Sequence, residues 1–210
     1  PSSPVTLPFR GQTLLALPDR STTTSRNIYS TGRVSLMTAS ISEHLAHWAV
    51  TVRDKPLAPD VRRQAKLALL DYLGVTLGGL EIPASVTIRQ MALAQAGARE
   101  ATLIGCRQRL PALQAALVNG TAGHALDMDD GHRLAAGHPG VTVIPAALAA
   151  AEFAGSSGEE VLTAIAAGYE VFVRVASAIN PSHLNRGFHT TGTIGPLGAA
   201  MASGLSLIHI

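Results

Sequence analysis

From Ser40 onward, apolar residues recur at helical spacing through most of the chain. Val61, Ala65, Ala68, Leu69, Tyr72, Leu73 and Leu77 share one face of a helix running from about Pro59 to Leu77, and Gly78-Gly79 closes it. Before it, Ser40 or Ser42 can cap a short helix to about Val52, with Leu45, Trp48 and Ala49 on one face. After it, the pattern predicts a helix over 84–96, an extended connector over 101–104 closed by Gly105, and a helix opened by Pro111 that reaches His124. Pro139 suits the first turn of a helix that runs to about Phe153 and stops at Gly155. Ser157 followed by Glu160 matches a capping box for a helix ending near Ile179, where Asn180-Pro181 terminates it. A polar loop carries His183, Arg186 and His189, and residues 190–202 form a glycine-rich opening into an alanine-rich helix. The fold class is therefore all-α, a multi-helix bundle-like domain with short loops and no internal repeat.

Residues 1–36 do not share this pattern. They are rich in Ser, Thr and Pro, and carry Arg10, Arg20, Arg26 and Arg33 against one acid, Asp19. An organelle transit peptide has this composition; so does upstream sequence translated in frame, which Pro1 at the start and Met37 further on favour. We expect residues 1–39 to be a disordered or non-native extension, residues 40–204 to be the helical domain, and residues 205–210 to be a non-native tail.

Composition narrows the function. Charged residues make up 14% of the chain, against roughly 25% in an ordinary soluble domain, which favours tightly packed, largely buried helices. No apolar run reaches the ~18 residues of a membrane span: Glu152 interrupts one stretch, and Glu170 and Arg174 the other. A net charge of +2 with no basic run interleaved with aromatics argues against nucleic acid. The single Cys106 excludes an internal disulfide and a multi-cysteine metal site.

Against this charge-poor background, the stretch from Asn119 to Glu152 gathers His124, Asp127, Asp129, Asp130, His132 and His138. In a helix continued through it, His124, Asp127 and Gly131 share a face and Asp127 lies near Asp130. Neighbouring carboxylates cannot both ionise cheaply, so one is pushed toward acting as an acid or a base. A histidine can exchange protons near neutral pH or hold a carboxylate when charged. Together these groups suit proton abstraction beside a carboxylate followed by loss of a leaving group. The same residues also fit plainer roles: residues 127–130 as an N-cap and turn, His132 as a solvent-exposed side chain, His138 as the end of a loop. A histidine at a helix N-terminus is poorly placed for its own charge, which favours a neutral imidazole at position 138.

The stretches NGTAGHALDMDDGH and GHPGVTVIPAALAAAE resemble the central motif of the MmgE/PrpD family, which includes 2-methylcitrate dehydratase and cis-aconitate decarboxylase. KLALLDYLGVTLGG at Lys66–Gly79 and GFHTTGTIGPLGAAMA at Gly187–Ala202 agree with it in order, so the likeness covers about Ile41 to Gly204. The resemblance implies the helical domain of a larger two-domain cytoplasmic enzyme with a smaller α+β lid, a homodimer when full length, using no metal and no organic cofactor. Its partner is a small polycarboxylate, which members dehydrate, decarboxylate or epimerise; 2-methylcitrate-like dehydration is the first expectation. By position, Asp127 resembles the family's active-site aspartate, and His138 and His189 its histidines. Asp127 and one histidine are expected to transfer protons, and the other histidine to bind a carboxylate. Asp130, His132 and Thr191 are expected to bind substrate.

Two departures point away from cis-aconitate. Gly131 stands where decarboxylase-like members carry threonine, and the spacing from Asp127 to His138 is about one residue longer. The final LSLIHI reads as one frame of a sequencing-library adapter, so the chain is expected to be an incomplete and inactive part of its enzyme. Three rival classes are a metal-dependent enzyme with His124, Asp127, His132 and His138 as ligands, a terpene cyclase, and a non-catalytic helical interaction module. The cyclase needs aromatic walls for its cations, which 4% aromatic content does not supply.

Overall fold

The computed structural model describes residues 40–207; the expected extension over 1–39 and positions 208–210 lie outside the described residues. Eight helices and one short hairpin follow in the order α1 (Ile41–Arg53), α2 (Pro59–Gly78), α3 (Pro83–Gln95), β1 (Ala101–Thr102), β2 (Arg109–Leu110), α4 (Ala112–His124), α5 (Gly140–Ala154), α6 (Gly158–Ile179), α7 (Ser182–Asn185) and α8 (Thr190–Leu207). The mostly helical class expected from the periodicity is what the chain adopts.

Local chemistry explains where the helices begin and end. Capping boxes start both α1 and α6: Ser40 accepts the Glu43 amide, Ser157 accepts the Glu160 amide, and each glutamate reaches back to the capping amide. Proline occupies the first turn of α2 and of α3. Gly155 in the left-handed conformation (φ 71°) ends α5. At the end of α2, Gly79 lies against the carbonyl of Ala122 in α4, an approach no side chain would permit.

The connector expected over 101–104 is half of a hairpin. Ala101 pairs with Leu110 and Thr102 with Arg109 in antiparallel register. Its other strand has no alternating pattern to announce it, and much of its order comes from outside the pair. Asn119 of α4 accepts the Ile104 amide (3.0 Å) and donates to the Thr102 carbonyl (2.9 Å). From α5, Glu152 accepts from the Thr102 hydroxyl (2.7 Å) and lies 3.1 Å from Arg109.

The core sits where α5, α6 and α8 pack together. Tyr169 and Phe172 of α6, Val143, Ile144 and Ala147 of α5, and Ala202 of α8 are all essentially buried. Gly168 and Gly198 allow α6 and α8 to cross closely: a Cβ on either would stand 2.9 Å from the other's carbonyl oxygen. By length and apolar content α6 could cross a membrane, but 56% of its most apolar window is already buried within this bundle, as in the core helix of a globular domain. Leu205–Leu207, expected as part of a tail, continue α8, with Leu205 and Ser206 buried.

Candidate active site

Helix α4 ends at His124, the limit its pattern predicts, and does not continue through the acidic cluster. Its C-cap is Ala125, and Asp127 takes a positive φ of 51° that no helix tolerates. From there to Pro139 the chain is a folded loop, closed on itself where the His132 amide donates to the Gly137 carbonyl at 3.0 Å. The loop is anchored from two other helices. Asn180, just past α6, donates to the Ala135 carbonyl (2.7 Å) and to the Thr190 hydroxyl (3.1 Å), and the Thr191 hydroxyl of α8 accepts the His138 amide (3.0 Å). Gly137 packs closely against Thr190, Thr191 and Phe172, where an added Cβ would stand 3.1–3.2 Å from its neighbours.

This arrangement sends the acids to different places. Asp129 is the buried centre of the site, its side chain only 2% exposed. His124 Nδ1 lies 3.0 Å from both of its oxygens, and His138 Nδ1 lies 3.1 Å from Oδ2, though not in line for a hydrogen bond. Asp127 stands at the surface, 82% exposed, with Oδ1 3.9 Å from His138 Nε2. The rings of His124 and His138 meet edge to face with centroids 5.1 Å apart, and His189 lies 6.5 Å from His124. Three imidazoles and two carboxylates thus converge where the end of α4 meets the starts of α5 and α8.

Asp130 turns the other way, which corrects the expected Asp127–Asp130 pairing. Its Oδ1 accepts the Gly140 amide at 2.9 Å, and the Tyr169 hydroxyl faces the same point. Burial pushes the Asp130 carboxyl up to about 6, with Asp129 and Asp71 adding to the rise while Tyr169 and the Gly140 amide oppose it. Burial, and then Asp129, also raises Asp71 on α2. Tyr169 is raised well above the phenol range, first by burial and then by the Asp130 charge. His132, read as solvent-exposed, is part-buried: its Nδ1 accepts the Ala135 amide at 3.2 Å, and burial holds the imidazole below the usual histidine range. Thr191, expected to bind substrate, has its hydroxyl engaged with the backbone of His138 and is 5% exposed.

The structure brings Asp127, His138 and His189 into one neighbourhood. It also recruits residues that the sequence reading gave no role beside them: Asp129 as the acid between the imidazoles, and Asp71 and Tyr169 around Asp130. The available signal was the alternation within Asp127-Met128-Asp129-Asp130. In a non-helical segment, adjacent side chains point to opposite sides, so Asp129 and Asp130 separate. Among the described residues, His124, Asp127, Asp129 and His138 offer ligand atoms all within 4.8 Å of one another, a spacing at which they could hold a metal ion. His132, expected in that ligand set, is replaced by Asp129.

Fold and site together define a helical domain carrying an imidazole–carboxylate cluster at converging helix ends. Residues 43–207 match the MmgE/PrpD N-terminal domain. The chain belongs to the MmgE/PrpD family. It is similar to the cis-aconitate decarboxylase of Aspergillus terreus, 28% identical over 172 residues that cover 79% of this chain and 35% of that protein. The cis-aconitate decarboxylase of Mus musculus is 30% identical over 182 residues, 82% of this chain and 37% of the relative. That of Homo sapiens is 30% identical over 174 residues, with 80% and 36% covered. The chain therefore spans little more than a third of the length of these relatives.

Proposed function

We propose that this chain is the helical, acid–base domain of a lyase acting on small di- or tricarboxylates. The observation that carries the reading is the pairing of an exposed carboxylate, Asp127, with the imidazole of His138 beside a second histidine and a buried acid. In a dehydration of the 2-methylcitrate type, Asp127 or an imidazole takes the proton from the carbon next to a carboxylate. The hydroxyl on the neighbouring carbon then leaves as water, protonated by an imidazolium. The electron pair of the broken C–H bond becomes the new double bond, so no oxidant or reductant is needed. The remaining imidazole holds a substrate carboxylate. The whole enzyme, we propose, is a homodimer in which residues beyond this domain close the cluster.

Two other readings have specific support. The similar proteins are named cis-aconitate decarboxylases, and the same groups suit that chemistry: carbon dioxide leaves, and an imidazolium or carboxylic acid protonates the carbanion left behind. The 4.8 Å cluster favours a metal-assisted variant; stoichiometric metal in protein purified without chelator would support it.

The test uses protein carrying the length found in the relatives, assayed by proton NMR with 2-methylcitrate, citrate and cis-aconitate. Turnover that falls at least ~100-fold in Asp127→Asn is the expected result. Full turnover by that variant would rule out the role given to Asp127.

A further inference from the structure

One imidazole in the cluster is held differently from the others. His124 is the last residue of α4, and its Nδ1 sits symmetrically 3.0 Å from both oxygens of Asp129. The Asp129 side chain is 2% exposed while that of His124 is 37% exposed. The buried end of the ring is thus fixed by a charge, and the open end is left to the solvent side. A carboxylate facing Nδ1 accepts a hydrogen bond from its N–H, so the nitrogen free to meet a ligand is Nε2. His138 has no such in-line partner, and its Nδ1 is buried without a hydrogen bond.

We infer that His124 is a substrate-binding residue that presents Nε2 to a carboxylate of a polycarboxylate ligand, with Asp129 as the positioning residue that fixes its orientation. A ligand carboxylate is repelled by Asp127 and Asp129 unless a cation intervenes. The His124 ring stands between the buried Asp129 and the open side of the cluster, placed to donate from Nδ1 to that carboxylate and from Nε2 to a ligand's without reorganising. His189, 6.5 Å away, lies within the span of a second carboxylate on the same small molecule. This inference rests on the polycarboxylate reading above, and its test keeps the two separable.

Asparagine and glutamine mimic different ends of a histidine. In His124→Asn the amide nitrogen stands near Nδ1 and keeps the Asp129 contact; in His124→Gln it reaches the place of Nε2. Calorimetric binding of citrate to protein carrying the length found in the relatives, with thermal melting as a control, should show affinity lost by roughly 10- to 100-fold in His124→Asn, the range of one charged hydrogen bond. His124→Gln should retain more of the affinity than His124→Asn. Long-range proton–nitrogen NMR should find a proton on His124 Nδ1 in the wild type, and Asp129→Asn should abolish that preference. Citrate binding that is unchanged in His124→Asn overturns the contact alone. No citrate binding by the wild type overturns the proposed ligand class and the contact with it. A His124 ring protonated only on Nε2 overturns the positioning role of Asp129 whatever the binding result.

Discussion

The amide of Gly140 donates to Asp130 Oδ1 at 2.9 Å, tying the first residue of α5 to the loop that precedes it. The same carboxyl is buried against Tyr169, and its folded-state value is raised to about 6. A carboxyl raised in this way favours the folded state while it is protonated. Its contribution is complete below the unfolded value near 4 and is lost as pH rises through about 6. Urea titrations between pH 4.5 and 7.5 should show Asp130→Asn becoming more stable relative to the wild type as pH rises, by on the order of 2 kcal/mol. A difference between the two that does not vary with pH would show that Asp130 is not held in this state.

The helix crossing at the core makes a second expectation. Alanine at Gly168 would place its Cβ 2.5 Å from Val143 Cγ1 and 2.9 Å from the Gly198 carbonyl. Denaturant unfolding should show a loss of about 1–3 kcal/mol for Gly168→Ala, the usual cost of overpacking. At Gly74 in α2, by contrast, an added methyl group would meet nothing within 4 Å. Gly74→Ala should therefore gain about 0.5–1 kcal/mol from helix propensity alone.

Asn119 satisfies two backbone groups of the hairpin at once, the Ile104 amide and the Thr102 carbonyl. Truncation to alanine orphans both in a part-buried place. A loss of about 2–4 kcal/mol is expected, with hydrogen exchange accelerated at Ile104. Unchanged exchange there would mean that the hairpin does not depend on α4.

Thr191 should behave as a support for His138. Thr191→Ser keeps the oxygen that accepts the His138 amide, and Thr191→Val removes it. The valine variant should lose about 1–2 kcal/mol and broaden the His138 resonances, while serine leaves both unchanged. Equal effects from the two substitutions would point to packing of the methyl group instead.

The helices were legible because each repeats a physical signal along its length. The α2 face, the Ser157–Glu160 capping box and the Gly155 stop need only neighbouring residues to be read. The loop from Ala125 to Pro139 was not legible in the same way. Helical spacing placed Asp127 beside Asp130, whereas the positive φ at Asp127 and the anchors from Asn180 and Thr191 give a different arrangement. Those anchors lie 45 and 53 residues away in sequence. No periodicity within the loop carries that information. Asp129 shows the consequence: its position beside two histidines follows from tertiary contacts that the run of acids does not reveal.

On the function proposed above, the cluster of Asp127, Asp129, His124, His138 and His189 receives a polycarboxylate. The most direct measurement is a citrate titration of isotopically labelled protein carrying the length found in the relatives, followed by backbone and imidazole NMR. The expected result is saturable shifts concentrated at residues 124–140 and 187–191, with all three imidazoles responding at one common affinity. Shifts centred instead on the basic surface of Arg62, Arg63 and Lys66 near the start of α2, or no saturable shifts at all, would contradict it.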